Sequence, residues 1–278
     1  MQGRLVPPEG NRFQSFPRQS WNLEFPNAQK AGIDCIEWIY DVYGADINPI
    51  ITDSGIDEIK RLCIKYDVHV TSVCADYFMD KPFLRTTPVE RTERIEKLLW
   101  LLRRCVKLDI IRIVLPFVDA SEIKTDSEFN DVVSLLKQAL PIAEETGIEL
   151  HLETSLPPAR FKELLDKIPH PFLKANYDSG NSSSLGYHPC DEFAAYGARV
   201  GSVHIKDRIR GGRTVPLGMG DADLSVLFDC LKAMDYSGDF ILQVSRDVPG
   251  NEIAWAKRNR AIVMDFMAKA MPSVKETA

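Results

Sequence analysis

Residues 200–207 of the chain read Val-Gly-Ser-Val-His-Ile-Lys-Asp, and residues 208–213 continue as Arg-Ile-Arg-Gly-Gly-Arg. The first part is an apolar run typical of a buried strand, and it ends in His204, Lys206 and Asp207. A buried strand that opens into a polar, glycine-rich loop is how α/β enzymes present chemistry at a strand's carboxyl end. His204 alone fits a packed core histidine as well as a functional group, so the ends of the other strands must decide.

Strand-type and helix-type patterns alternate along the whole chain. The predicted strands are residues 2–6, 33–39, 68–74, 110–115, 148–153, 172–178, 200–207 and 239–244. Apolar residues at helical spacing separate them, for example over residues 126–146 and 252–270. Alternating strands and helices predict a parallel sheet, and eight such units favour closure into a single (β/α)8 TIM barrel over an open sheet.

The connections and the first strand carry less pattern than the rest. The first strand is closed off by Pro7-Pro8, and residues 76–82 and 179–186 are predicted to be loops. No G-x-G-x-x-G motif follows the first strand, which gives a dinucleotide-binding fold little support.

Bulk properties agree with a single TIM-barrel domain over residues 1–278. The chain has 278 residues, and such a barrel needs roughly 250. A net charge of -6 argues against nucleic acid as a partner. None of the six cysteines forms a C-x-x-C pair, which argues against a structural zinc site or a redox motif. The chain shows no apolar signal region and no membrane-length apolar run, so a cytoplasmic protein without a membrane partner is expected.

Polar residues end four consecutive predicted strands in the second half of the chain. They are Glu153, Asp178, His204 and Gln243. In a closed barrel these ends converge on one face, where two carboxylates, an imidazole and an amide oxygen suit one divalent ion such as Mn²⁺, Mg²⁺, Co²⁺ or Zn²⁺. The alternative is that each has a local role, since an Asp after a strand is often a helix cap.

At these residues the sequence resembles the xylose-isomerase-like TIM barrels of the sugar phosphate isomerase/epimerase superfamily. The matching segments are Leu-His-Leu-Glu at 150–153, Asn-Tyr-Asp at 176–178, Val-His-Ile-Lys-Asp at 203–207 and Gly-Met-Gly-Asp-Ala-Asp at 218–223. Residues 36–38 and 235–240 extend the resemblance over essentially the whole chain. The motifs are typical of the superfamily but do not select a substrate.

The resemblance implies a metal held by Glu153, Asp178, His204 and the residue at 243. That last position is usually a Glu, which pairs with the strand-five Glu as an acid/base couple around the substrate. Gln243 can ligate through its oxygen but cannot take a proton, so a two-base transfer that uses it is excluded. A second departure is Asn181, where many relatives carry a His; it is expected to contact substrate more weakly.

Glu153 is therefore the predicted base, assisted by Lys206 or His151. His151 lies two residues before Glu153 and so points to the same side of the strand, although an interior packing role fits it as well. Lys206 has the same relation to His204 and would hold an anionic group or pair with a carboxylate.

The basic loop after residue 207 favours an anionic carbohydrate substrate, because guanidinium groups and glycine amides suit oxyanions. Its alternative is a solvated loop. Besides Asn181, the predicted substrate contacts are Arg210 in this loop, Arg246 after the last strand, Arg4 near the first strand and Glu37 on the second.

The leading functional hypothesis is a metal-dependent isomerase or epimerase of a sugar, sugar phosphate or related polyol, acting through an enediolate-type intermediate. The alternatives are a metal-dependent dehydratase or lyase of a cyclic polyol or keto acid, which needs only one base, and a non-catalytic ligand-binding member. A DNA-repair endonuclease is disfavoured, because the chain is acidic and lacks the additional metal ligands such an enzyme needs. A homo-oligomer is compatible with the sequence.

Overall fold

Seven parallel strands curve into a barrel in the computed structural model, which describes residues 1–10 and 12–270. In chain order the strands are β1 (Cys35–Ile39), β2 (His69–Cys74), β3 (Arg112–Phe117), β4 (Glu149–Thr154), β5 (Leu173–Asp178), β6 (Val200–Ile205), β7 (Asp207–Arg208), β8 (Thr214–Val215) and β9 (Phe240–Leu242). The barrel order is β1-β2-β3-β4-β5-β6-β9, while β7 and β8 form a separate antiparallel pair. The β-branched, apolar strands are buried on both faces, as parallel sheets require.

The backbone of Gln2 fills the eighth position of the ring. Its amide donates to the carbonyl of Leu242 at 3.1 Å, and it forms an isolated parallel bridge with Glu37. The strand predicted over residues 2–6 is therefore wrong in length, because Gly3 adopts a φ of +52° and turns the chain away after one residue. With Gln2 in place the barrel has eight positions, and the predicted fold class is confirmed.

Helices connect successive strands. They are α1 (Glu24–Ala31), α2 (Asp53–Tyr66), α3 (Tyr77–Asp80), α4 (Pro88–Val106), α5 (Asp126–Thr146), α6 (Pro158–Asp166), α7 (Ser179–Leu185), α8 (Pro189–Tyr196), α9 (Leu224–Ala233) and α10 (Glu252–Ala270). The predicted segments 126–146 and 252–270 match α5 and α10. None of the helices in the described residues is long and apolar enough to cross a membrane.

Two segments predicted to be loops contain helices. Residues 179–185 form α7, although serine and glycine favour loops by composition. The Asp178 side chain caps this helix by accepting from the backbone amide of Asn181 at 2.8 Å, and Gly186 ends it at a φ of +79°. The segment after β2 contains α3, which is a single turn. In α7 the terminal caps therefore outweigh the composition of the segment.

The buried apolar side chains form one core cluster that extends from Met1 to Ala270. Residues 11 and 271–278 of the predicted domain lie outside the described part of the chain.

Glu24, the first residue of α1, is a buried carboxyl that bears on stability. Burial raises its pKa to about 7, against the weaker effect of the nearby Leu5 backbone and Arg246. The folded state therefore keeps a proton that the unfolded chain releases from about pH 4.5 upward, so folding loses stability as the pH rises toward 7.

Glu24→Gln is accordingly expected to stabilise the protein more at pH 8 than at pH 5, by about 2 kcal/mol. Denaturant unfolding of both proteins at the two pH values measures this difference. An equal effect at both pH values would show that Glu24 is ionised in the folded state.

Candidate metal centre

The carboxyl ends of the strands surround a cavity of about 480 Å³. Its walls combine residues from the strand ends with residues from the N-terminal segment and from the loop after β6. The lining residues are Phe13, Gln14, Cys74, Asp76, Met79, Pro116, Val118, Asp119, Glu153, Asn181, Lys206, Arg208, Arg213, Thr214 and Gln243. A cavity at this end of the barrel is where TIM-barrel enzymes hold their substrates.

Three of the predicted metal ligands meet at the base of this cavity. Glu153 on β4, Asp178 on β5 and His204 on β6 each present one ligand atom, and these atoms lie within 4.8 Å of one another. All three side chains are buried. Parallel strands in register bring them together, because β5 and β6 pair Asp178 directly with His204.

The ring of His204 is oriented by a carboxylate behind it. Its Nε2 lies 2.8 Å from Glu37 Oε1, and Glu37 also accepts a hydrogen bond from Ser72 at 2.8 Å. Its Nδ1 lies 3.3 Å from Glu153 Oε2 and 3.9 Å from Asp178 Oδ2, and it has no hydrogen-bond partner among the described residues. A carboxylate behind the imidazole with the other nitrogen turned toward acidic groups is typical of a metal-binding histidine.

Neighbouring charges, more than burial, determine the pKa values of His204 and Glu37. Burial lowers the pKa of His204, but the charges of Glu37 and Glu153 outweigh it and raise the pKa to about 10. Burial likewise raises the pKa of Glu37, but the His204 charge and the Ser72 hydrogen bond outweigh it and lower the pKa to about 2. A cation that binds Nδ1 therefore competes with a proton.

The donor set fits a divalent cation. Two carboxylates and an imidazole whose Nδ1 is buried without a hydrogen-bond partner supply hard oxygen and nitrogen donors on one side of the cavity. Glu153, Asp178 and His204 would hold such an ion. They leave other coordination positions open, which is the arrangement of a catalytic metal site.

Gln243, the fourth predicted ligand, is engaged by Lys206. The ammonium group of Lys206 donates to Gln243 Oε1, to Asp178 Oδ2 at 3.2 Å and to Asn181 Oδ1 at 3.3 Å. A carbonyl oxygen carries two lone pairs, so Gln243 can accept from Lys206 and still face a cation.

Two amide groups orient the Glu153 carboxylate. Asn176 Nδ2 donates to Oε2 at 3.1 Å, and Asn181 Nδ2 donates to Oε1. Asn181 lies on α7 and also accepts from Arg208 at 2.9 Å. The predicted residue Asn181 thus lies in the cavity and links Glu153 to the basic loop.

Two predicted residues lie below the cavity and not in its wall. Glu37 was predicted to contact substrate, but it is fully buried and contacts His204 and Ser72. His151 was predicted to assist the base, but its ring lies between Ser202 and Glu149, at 2.7 Å and 2.8 Å, and is also fully buried. These contacts correct both assignments, since neither side chain reaches a ligand in the cavity.

Three predicted arginines do not line the cavity either. Arg246 donates to backbone carbonyls of the N-terminal segment, among them Phe13 at 2.7 Å. Arg4 is buried and donates to the carbonyl of Val244 at 2.9 Å. Arg210 is exposed on the loop. Arg4 and Arg246 therefore hold the cavity wall in place, which corrects their prediction as substrate contacts.

Other basic and polar residues line the cavity in place of those arginines. Arg208 and Arg213, from the same basic loop as Arg210, line the cavity. Asp76 and Gln14 line it as well, and the sequence argument did not select them. The strand-end rule that selected Glu153 would also have found Asp76, two residues after β2. No local pattern marks Gln14, since its segment forms neither a strand nor a helix.

Fold and site define a TIM barrel whose cavity lies at the carboxyl end of the strands, beside a buried cluster of three residues that could hold a metal ion. The model of the xylose isomerase-like TIM barrel family matches residues 25–265, and the chain belongs to that family.

An inosose dehydratase from Geobacillus kaustophilus is 31% identical over 147 residues, covering 44% of this chain and 47% of that protein. The chain thus spans about half of this relative's length. Solved structures with the same fold include the IOLI protein with a bound zinc atom, at TM-score 0.77, 18% identity and 98% coverage of both chains. Another is an L-ribulose 3-epimerase, at TM-score 0.74 and 17% identity, covering 100% of this chain and 98% of the epimerase. At these identities the structures show the fold alone.

Glu37→Gln is expected to weaken binding of Mn²⁺ or Zn²⁺ by about 10- to 100-fold, because the His204 ring loses the carboxylate that orients it. Isothermal titration of the purified protein measures the affinity. Glu24→Gln is the matched control, since it removes another buried carboxylate outside the site and should leave the affinity unchanged. Unchanged affinity in Glu37→Gln would contradict the assignment of His204 as a ligand.

Replacing Gln243 tests whether its oxygen ligates. Gln243→Glu should raise the metal affinity by about tenfold or more, since it adds a negative charge. Gln243→Met keeps the volume but removes the oxygen, and should lower the affinity in the same titration. If Gln243→Met binds metal as the native protein does, Gln243 is not a ligand.

Proposed function

We propose that this chain is a divalent-metal-dependent dehydratase. It removes a proton from the carbon beside the carbonyl of a small cyclic polyhydroxy ketone and eliminates water. A bound metal ion would polarise the carbonyl and make the neighbouring C–H more acidic. The chain's own residues supply the base and bind the substrate.

The position of Glu153 carries this proposal. Of the three clustered ligands, Glu153 alone also lines the cavity, so it faces both a bound cation and a bound substrate. Its two oxygens are held by Asn176 and Asn181, which leaves the carboxylate no freedom to turn away. A base at this position takes the proton from carbon.

Gln243 favours dehydration over a symmetric proton transfer. It lies on β9's end of the cavity, where a second base would be needed for epimerisation by two glutamates, and an amide cannot accept that proton. Elimination of water needs one base and a proton donor at a different atom. The partial match to an inosose dehydratase supports the same direction.

The basic side of the cavity bears on the substrate. Lys206, Arg208 and Arg213 line it. Guanidinium groups at a cavity wall bind hydroxyls well and carboxylates or phosphates better. We include an anionic group on the substrate in the proposal, as the basic loop predicted.

An isomerase or epimerase of a ketose is the second candidate. The cavity contains another carboxyl, Asp76, so a two-sided proton transfer does not need Gln243. In that reaction the substrate carbon exchanges its proton with solvent but no water is lost.

A panel of compounds in deuterium oxide separates these reactions. It comprises inosose, D-allulose, D-allulose phosphate and a cyclic polyhydroxy keto acid, each with the Mn²⁺-loaded protein. Deuterium uptake together with loss of water and a conjugated product is expected, as read by NMR and absorbance. Uptake without loss of water would replace the dehydratase by the isomerase or epimerase.

Glu153→Gln tests the base assignment in the same assay. Both deuterium uptake and turnover should fall by about 10²- to 10⁴-fold, because the amide cannot accept the proton. The pair of amides that hold position 153 should keep the fold intact, which circular dichroism checks. If none of the panel is exchanged by the native protein, the proposed function fails.

A further inference from the structure

Asp76 lines the same cavity as Glu153, from a different strand of the barrel. It lies just after β2, which in a ring of eight that includes Gln2 is two positions from β4, the strand of Glu153, and four from β6, the strand of His204. A substrate that fills the cavity therefore contacts Glu153 and Asp76 at two different places on its wall.

Neutral donors hold the Asp76 carboxyl. Gln14 Nε2 donates to Oδ2 at 2.6 Å, and the Cys74 thiol donates to Oδ1 at 3.1 Å. The amide of Gln14 cannot turn over, because Arg4 donates to its oxygen at 3.1 Å. Arg4 thereby fixes Gln14 without pairing with Asp76 itself.

These contacts leave Asp76 as a buried carboxyl without a cationic partner. It is 5% exposed, and in the described residues no lysine, arginine or histidine lies within ion-pair distance of it. Burial raises its pKa to about 6, against the two hydrogen bonds, and the charge of Glu153 adds to the rise. The protonated form is thus accessible near neutral pH.

A protonated Asp76 can donate its proton only toward the cavity. Gln14 and Cys74 both use the carboxyl as an acceptor, so neither takes its proton. The remaining direction is the cavity that Asp76 lines. A protonated carboxyl aimed into a substrate cavity is what a general acid requires.

We propose that Asp76 is the catalytic proton donor, which protonates the leaving hydroxyl while Glu153 takes the proton from carbon. This inference rests on the proposed function. The carbon–hydrogen bond beside the carbonyl breaks, and its electron pair forms a carbon–carbon double bond. The bond from the next carbon to its hydroxyl breaks with the proton of Asp76, and water leaves. Asp76 ends as a carboxylate and Glu153 as an acid, and proton exchange with solvent restores both.

Asp76→Asn tests this role in the Mn²⁺-loaded protein with whichever panel compound the native protein dehydrates. Loss of water should fall by about 10²- to 10⁴-fold, while uptake of deuterium beside the carbonyl persists, because Glu153 is intact. The metal affinity should not change. Asp80→Asn, an exposed aspartate four residues further on that does not line the cavity, is the matched control and should behave as the native protein.

An analogue with fluorine in place of the leaving hydroxyl provides the second measurement. Fluoride departs without taking a proton, so Asp76→Asn should release fluoride at close to the native rate, whereas Glu153→Gln should not. Equal loss of exchange, dehydration and fluoride release in Asp76→Asn would mean that Asp76 only supports the cavity wall. Retention of dehydration would also overturn the inference. If the native protein dehydrates none of the panel, the proposed function itself fails and the inference falls with it.

Discussion

Three buried carboxylates surround one imidazole at the mouth of the barrel, and the site is arranged around that concentration of negative charge. Glu37, Glu153 and Asp178 all lie within 4.0 Å of His204. Buried charges are costly unless they are compensated, and in the described part of the chain His204 and Lys206 are the cationic groups in contact with them. A divalent cation at the Nδ1 side of His204 replaces a proton with more positive charge, so the same electrostatics that protonate His204 favour metal.

Closure of the barrel and construction of the cavity depend on the same N-terminal segment. Gln2 joins β9 to β1, and the carbonyl of Val244, just after β9, accepts from Arg4. Arg4 also fixes Gln14, which in turn holds Asp76. The N-terminal segment therefore connects the last strand of the ring to Asp76 in the cavity wall.

The sequence predicts the parts of this molecule that rest on periodicity and on strand ends. Alternating patterns predict the barrel, and the end-of-strand rule brings Glu153, Asp178 and His204 together before any coordinates are known. Long-range contacts cannot be found in this way. Arg4 and Glu37 look like substrate contacts in the sequence because they lie near strand positions. In the structure Arg4 instead donates to the carbonyl of Val244, just after β9, and Glu37 contacts the ring of His204. α7 is not predicted because its serines and glycine favour loops by composition, and a capping Asp after a strand does not by itself distinguish a helix from a turn.

The amide at position 243 means that the residue after β9 cannot serve as a second base in the cavity. With glutamates on both β4 and β9, two bases would stand around one carbon atom and serve proton transfer at that atom. Here the position after β9 offers an amide engaged by Lys206, and among the described residues Asp76 is a buried carboxyl of the cavity wall without a cationic partner. The proposed base and acid thus lie on different strands, two positions apart in the ring. Groups at two places on the cavity wall can act on two different atoms of the substrate, one losing a proton and the other a hydroxyl, which is the requirement of an elimination.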